Sequence, residues 1–230
     1  MVDKHLKRLA APKSWPIQRK TSKYVTRPLP GGHPFSEGMA LNSIMRELLG
    51  LSGTRKDANK ILRSKKVLID QVQRKEGRTL VGLMDTISFP DANLNYRMII
   101  NQRGQLAVIP ISKEEAQIKP CKIVGKRMST GGKIQLNLHD GNNMLTDNND
   151  YKTGDTLLLE LPIKGVKECL KLAVGSTVML TGGSHVGESG TVVSIDQNKL
   201  VVKGKQGNLE TRKGLAIVIG HEKPAITLGG

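Results

Sequence analysis

The chain has 230 residues, of which 36 are Lys or Arg and 20 are Asp or Glu, so its formal net charge is +16. Its apolar runs fall far short of the roughly 18 residues that a membrane-spanning helix needs, and its opening residues lack the apolar segment of a secretory signal. Hydrophobic residues make up 37% of the chain, which excludes wholesale disorder. The two cysteines lack a CxxC spacing, which excludes a zinc knuckle and a disulfide framework and is typical of a reduced cytosolic protein.

The positive charge is concentrated in the first half of the chain. Residues 1–110 hold 20 basic and 8 acidic side chains, which gives +12 of the total +16. Such an excess attracts a polyanion, because each neutralised phosphate releases condensed counterions. Nucleic acid is the favoured partner, and an anionic membrane surface or an acidic protein is the alternative. Aromatic residues make up only 3% of the chain, which argues against modules that stack bases on aromatic platforms.

Residues 1–40 are predicted to form a basic, extended arm. Five prolines interrupt any long helix there, and the string RPLPGGHP has no apolar period. Such a segment is costly to order alone, so we expect it to become ordered on a partner. The cations of the arm that we expect to contact RNA are Lys7, Arg8, Lys13, Arg19, Lys20 and Arg27.

Two helices and a short strand are predicted next. Apolar residues at helical spacing over 41–49 indicate the first helix, and Gly50 follows it. Thr54 as N-cap and Asp57 three residues later indicate a second helix, before a strand at VLID (67–70). Cations fixed on a capped helix suit phosphates, and acids at i+4 do not balance them. The residues of this helix and its exit that we expect to contact RNA are Arg55, Lys56, Asn59, Lys60, Arg63, Lys65 and Lys66.

From residue 79 onward the pattern predicts β-structure. KEEAQIK (113–119) is predicted as one or two helical turns, and CKIVGKRMS and KIQLNLHDG as a hairpin around Thr130, Gly131 and Gly132. At least four short strands with Gly-rich turns follow residue 172, which is typical of a small barrel. The other predicted strands cover 79–89, 96–101, 105–112 and 155–162.

Two stretches of the chain resemble known RNA-associated modules. TRKDANKILRSKKVLID resembles the helix-then-strand core of an S-four-type RNA-binding domain. The C-terminal stretch resembles a KOW motif, in which glycines supply tight turns between alternating apolar residues. The matching positions are Gly175, Val178, Leu180, Gly183, Gly187, Gly190, Val192 and Ile195.

With HLKRLAAPKSW and RPLPGGHP ahead of these modules, the whole chain resembles the S-four-e family of small-subunit ribosomal proteins, in its archaeal form. The resemblance implies an α+β, multi-domain protein. Its parts would be a basic arm (1–40), a small α/β S-four-type RNA-binding domain (41–110), a central β-rich domain (111–172) and a KOW SH3-like β-barrel (173–230). It also implies a structural constituent of the small ribosomal subunit in the cytoplasm, which binds 16S-type rRNA and neighbouring ribosomal proteins. Enzymatic activity, a cofactor, a small-molecule substrate and membrane contact are not expected.

Two other classes of function are kept as alternatives, namely a KOW-containing transcription or translation factor and an RNA-modifying enzyme. The motifs GxSxG, GxxxxGK[ST], GxGxxG and HExxH do not occur, so the sequence offers no nucleophile elbow, phosphate loop, dinucleotide fingerprint or zinc-protease helix. The five histidines are scattered, and the aspartates between Asp140 and Asp155 are interpreted as turn formers among asparagines. We therefore predict no metal site.

Overall fold

Strands dominate the chain, and the helices are few and short. The computed structural model describes residues 5–129, 131–163, 165–204, 207–221 and 224–228. Contacts divide these residues into two units. The first comprises the described residues up to Ile99 together with Gln105–Gln117, and the second comprises Ile100–Gly104 and the described residues from Ile118 onward. No helix among the described residues is both long and apolar enough to cross a membrane.

The first unit combines the helices with three small antiparallel sheets. Two of its sheets are the pairs β1–β2 and β3–β6, and the third has the order β5-β4-β7-β8-β9. Its elements in chain order are β1 (Leu6–Lys7), β2 (Tyr24–Val25), β3 (Gly38–Ala40), α1 (Leu41–Ser43), a π-helical turn (Ile44–Leu48), α2 (Arg55–Ser64), β4 (Leu68–Ile69), β5 (Val72–Gln73), β6 (Leu80–Gly82), β7 (Thr86–Phe89), β8 (Leu94–Ile100) and β9 (Leu106–Pro110).

The N-terminal segment packs against its own unit, which differs from the expected extended arm. Trp15 is 1% exposed and lies against Phe35, with ring centroids 5.2 Å apart. The backbone N–H of Leu106 donates to the Ser14 carbonyl at 2.8 Å, and that of Leu29 donates to the Arg78 carbonyl at 2.8 Å. Burying the indole stabilises the segment by about 2–3 kcal/mol, which offsets part of the conformational entropy lost when the segment becomes ordered. The prolines make that loss smaller, because they already restrict the unfolded chain.

The single strand predicted over 79–89 is instead two strands, β6 and β7. A turn separates them, in which Met84 has a φ of 67° and the Asp85 carboxylate accepts a hydrogen bond from the Gly82 N–H at 2.8 Å. Asp85 also bonds the buried His33 ring, with 3.0 Å between His33 Nε2 and Asp85 Oδ1. A polar side chain therefore fixes the corner, and β6 leaves the main sheet to pair with β3.

The second unit holds two five-stranded antiparallel sheets. Their orders are β12-β11-β10-β13-β14 and β18-β17-β16-β15-β19. The predicted hairpin is confirmed as β10 and β11, although Thr130 at its tip lies outside the described residues. The strands are β10 (Ile118–Met128), β11 (Ile134–Leu138), β12 (Asn143–Thr146), β13 (Thr156–Glu160), β14 (Gly165–Leu170), β15 (Thr177–Leu180), β16 (Ser189–Ile195), β17 (Lys199–Gly204), β18 (Gly207–Arg212) and β19 (Ala216–Gly220).

A hydrophobic cluster of the second unit joins its two sheets, and another cluster lies within the sheet of β10 to β14. Leu158 and Leu170, from β13 and β14, belong to the same buried cluster as Val178, Val202 and Val218 of the C-terminal sheet. This packing crosses residue 172, where the sequence predicts a boundary between two domains. The two sheets therefore pack against each other across this position.

Buried polar side chains add fixed points to the second unit. Lys122 donates from Nζ to the carbonyls of Gly214 at 2.7 Å and Ala216 at 2.6 Å. Lys119 lies 3.1 Å from the Asp140 carboxylate, and both side chains are almost fully buried. Burial alone raises the pKa of Asp140, but the Lys119 ammonium and hydrogen bonds from Asn142 outweigh it and lower that pKa to about 2.

Candidate nucleic-acid interface

Helix α2 is held in place by local hydrogen bonds and by burial of its inner side. The Thr54 hydroxyl accepts from the Asp57 N–H at 3.2 Å, and Asp57 Oδ2 accepts from the Thr54 N–H at 3.1 Å. This capping box confirms the helix start predicted from the sequence. Ala58 and Leu62 are fully buried on the inner side. The outer side is therefore fixed in its orientation.

The outer side of α2 presents the predicted cations to solvent. Lys56, Lys60 and Arg63 are exposed and, with Asn59 and Ser64, line a shallow depression of about 570 Å³. We call Lys56, Asn59, Lys60 and Arg63 the helix face. Among the described residues, no carboxylate pairs with its three cations. Such a surface attracts an anion from solution, because no internal countercharge neutralises it.

The remaining predicted cations near α2 lie on either side of that face. Lys65 and Lys66 are exposed where the chain leaves the helix. Arg55, at the first position of the helix, lines a different depression, of about 410 Å³. The structure thus brings four of the seven predicted α2 residues together and places two beside them. The seventh, Arg55, lies at the other depression.

The cations of the N-terminal segment fall into two groups. Lys7, Lys13 and Lys20 are exposed, and Arg27 is half-buried at the depression that Arg55 also lines. Arg19, by contrast, donates to the carbonyls of its own segment, at 2.8 Å to Ala11 and 2.7 Å to Pro12. Arg19 therefore organises the segment that the sequence predicts to be extended.

Arg8 is an interior residue, which corrects the prediction that it threads between RNA helices. Its side chain is 3% exposed and pairs with Glu47. It also donates to the Gln18 carbonyl at 2.5 Å and to the Thr21 hydroxyl at 3.1 Å. A guanidinium with these partners has no surface left for phosphate. The sequence could not indicate this, because Glu47 lies 39 positions away.

Sequence reasoning missed two basic residues, Arg46 and Arg78. Both line the depression shared by Arg27 and Arg55, together with His5 and Tyr24. We call these six residues the arginine cleft. They come from separate parts of the chain, so no local pattern could have grouped them. Among the described residues, no group of three or more His, Cys, Asp or Glu side chains is placed to hold a metal ion.

The chain matches both family models and known proteins. Three family models match the chain, namely the RS4NT domain at residues 2–36, ribosomal family S4e at residues 92–166 and the KOW motif at residues 174–207. Small ribosomal subunit protein eS4 of Methanocella arvoryzae is 44% identical over 232 residues, which cover 98% of both chains. The chain belongs to ribosomal family S4e. The S4e resemblance expected from the sequence is thus confirmed.

Further S4e relatives agree with this assignment. The small ribosomal subunit protein eS4 of Methanocaldococcus jannaschii is 41% identical over 239 residues, which cover 98% of this chain and 97% of the relative. The crystal structure of the 30S ribosomal protein S4e from Thermoplasma acidophilum matches with a TM-score of 0.70 and 32% identity, and covers 80% of this chain and 95% of that one. The S4e fold therefore accounts for most of the described chain.

Proposed function

We propose that this chain is a structural component of the small ribosomal subunit in the cytoplasm and that it binds 16S-type rRNA there. The relatives that match along nearly the whole chain are named small ribosomal subunit proteins. The family is a ribosomal one, so neither a KOW-containing transcription or translation factor nor an RNA-modifying enzyme has support. Neighbouring small-subunit proteins are proposed as further partners.

The observation that carries the rRNA proposal is the helix face. Its cations are exposed, fixed by a capped helix and left without carboxylate partners among the described residues. A-form RNA displays its phosphates and 2′-hydroxyls, while its deep groove is closed to side chains. We therefore assign this face to backbone contacts that recognise the shape of the folded rRNA. The proposed contact set is Lys7, Lys13, Lys20, Arg27, Arg55, Lys56, Asn59, Lys60, Arg63, Lys65 and Lys66.

We further propose that the four segments expected from the sequence are family modules, with limits at 1–40, 41–110, 111–172 and 173–230. For the last module we propose the SH3-like barrel topology of KOW domains. The support is its strand order, in which β15 lies between β16 and β19 and the remaining strands follow in sequence. In this interpretation the β modules brace rRNA or protein neighbours, since they carry less net charge than the first half of the chain.

The salt dependence of rRNA binding tests the helix face. The variant carries Lys56→Ala and Lys60→Ala, and the matched control carries Lys113→Ala and Lys167→Ala. The control removes two exposed lysines that each stand beside a glutamate in the sequence. Affinity for 16S-type rRNA is measured at several salt concentrations. We expect the slope of log K against log salt to fall by about 1.5 units in the variant, because each lost phosphate contact removes about 0.7–0.9.

The control is expected to keep a slope close to that of the unmodified chain. Both variants should melt at similar temperatures, because all four lysines are exposed. An unchanged slope in the helix variant would remove the helix face from the interface. A chain that fails to co-sediment with small subunits at moderate salt would overturn the ribosomal proposal itself.

A further inference from the structure

The arginine cleft is a second basic surface of the first unit, and it is more enclosed than the helix face. It has a volume of about 410 Å³, which lies within the range of pockets that hold small ligands. Arg27, Arg46 and Arg78 are half-buried in its wall, and Arg55 is exposed at its edge. Four guanidinium groups that converge on one depression repel each other unless an anion lies between them.

Carboxylates provide only part of the countercharge. Glu47 accepts hydrogen bonds from Arg46, at 2.6 Å from Nη2, but Glu47 also pairs with the buried Arg8. One carboxylate is therefore shared by two guanidinium groups. Arg78 directs its Nε to the Arg27 carbonyl at 3.2 Å, and its backbone N–H donates to Glu76 Oε1 at 3.0 Å, so a second carboxylate lies near it. Among the described residues, those that line the cleft include four arginines and no carboxylate, so the lining itself has a net positive charge.

The fold holds the cleft in a defined shape. Strands β1 and β2 pair Leu6 with Val25 and Lys7 with Tyr24, which places the N-terminal strand along one side. The Leu29 N–H donates to the Arg78 carbonyl, which ties the far side to the segment after β2. These backbone bonds position the segments that carry the arginines before any ligand arrives, so little backbone entropy is lost on binding.

An aromatic pair lies at the same cleft, in a chain with few aromatic residues. Tyr24 is 48% exposed, and its ring centroid lies 5.6 Å from that of His5. An exposed ring next to several guanidinium groups offers both parts of a nucleotide-binding surface, since a base can lie on the ring while the phosphate meets the arginines. An acidic peptide would use the charge but not the ring.

We propose that the arginine cleft binds one unpaired nucleotide of rRNA, with its phosphate among Arg27, Arg55 and Arg78 and its base against Tyr24. This inference rests on the proposed rRNA-binding function and adds a second, single-stranded contact to it. The helix face then holds the backbone of folded RNA, and the cleft holds a nucleotide that has left the stack.

Binding of short RNA to the purified full-length chain tests the cleft. The probes are a single-stranded RNA hexamer of mixed sequence and an abasic hexamer with the same phosphates, both followed by fluorescence anisotropy. Arg55→Gln with Arg78→Gln should weaken both probes at least tenfold, because two charge-assisted contacts are lost. The control, Lys113→Gln with Lys167→Gln, has the same net charge and should change binding of either probe less than threefold.

The aromatic contact is tested by Tyr24→Leu. This change should weaken the base-containing hexamer by about 5- to 30-fold and the abasic hexamer by less than twofold. Tyr24→Phe keeps the ring and should bind both probes like the unmodified chain, and retained binding of the abasic hexamer by Tyr24→Leu shows that the cleft still folds. Equal losses for both probes in Tyr24→Leu would overturn the base contact.

The outcomes separate this inference from the proposed function. If the cleft variants bind the hexamer like the control while Lys56→Ala with Lys60→Ala still weakens 16S-type rRNA binding, the cleft inference fails and the proposed function stands. If hexaglutamate displaces the hexamer as well as unlabelled hexamer does, the cleft is an acidic-peptide site and the inference is again overturned. If no variant affects either RNA, both are wrong.

Discussion

Replacing Arg8 distinguishes a structural arginine from an RNA-binding one. In Arg8→Met the side chain keeps much of its length but loses its hydrogen bonds to Gln18, Thr21 and Glu47. Removing one partner of a buried ion pair costs about 3–5 kcal/mol, because the remaining charge is left in a poorly solvated site. Glu47 is 16% exposed and keeps Arg46 as a partner, so we expect a smaller loss, about 2–3 kcal/mol.

The fluorescence of Trp15 measures this loss in the first unit alone. It is the one tryptophan of the chain, and it is 1% exposed in the same segment as Arg8. With a urea dependence of about 1.5–2 kcal/mol per molar, the midpoint should fall by about 1–2 M. The double variant with Glu47→Gln should recover about 1 kcal/mol, since it no longer holds a carboxylate that has lost one of its two cations.

The same variant makes an opposite prediction for RNA. In conditions where Arg8→Met is folded, its slope of log K against log salt for rRNA should equal that of the unmodified chain. A slope lower by about one unit with an unchanged urea midpoint would refute the interior role of Arg8 and restore it as a phosphate contact.

Three further predictions concern buried groups. Asp140→Asn leaves the Lys119 ammonium without its carboxylate and should destabilise the second unit by about 3 kcal/mol at pH 7. The folded pKa of Asp140 is about 2 and its ordinary value is 3.8, so the carboxylate stabilises the fold fully above about pH 4. The difference in unfolding free energy between the unmodified chain and the variant should therefore shrink as the pH falls through 2. Gly82→Ala places a methyl group against the His33 ring and should cost about 2 kcal/mol or more, measured by Trp15 fluorescence in urea, whereas the exposed Gly53→Ala should change stability little. Lys122→Met removes the donor from the carbonyls of Gly214 and Ala216 and should cost about 2–4 kcal/mol, with hydrogen exchange faster across 213–220 than in β10 and β11.

Local patterns predicted the parts of the fold that local forces determine. The start of α2 follows from Thr54 and Asp57, which are three positions apart and bond each other directly. The hairpin of β10 and β11 follows from alternating apolar residues around a glycine turn. By contrast, β14 was missed because its residues are mostly exposed and its hydrophobic residues, Val166, Cys169 and Leu170, do not alternate along the strand.

Contacts between distant residues explain what the sequence could not indicate. The corner between β6 and β7 contains Met84, rather than a glycine, in a left-handed conformation. The sequence alone does not distinguish Arg8 from its exposed neighbour Lys7, because only the contact with Glu47 makes Arg8 an interior residue. The arginine cleft joins residues spread between His5 and Arg78, and the low aromatic content of the chain gave no reason to expect a ring at such a site. For Arg8 and for the cleft, the deciding partners lie far along the chain.

The burial of Trp15 has a consequence for the thermodynamics of ribosome assembly. A tail that folds only on its target removes apolar surface from water during binding and gives a large negative change in heat capacity. Here the indole is already shielded in the free chain, so the N-terminal segment docks as a preformed body. Calorimetry of rRNA binding should accordingly record a small heat-capacity change from this segment, and its association rate should depend on electrostatic steering rather than on coupled folding.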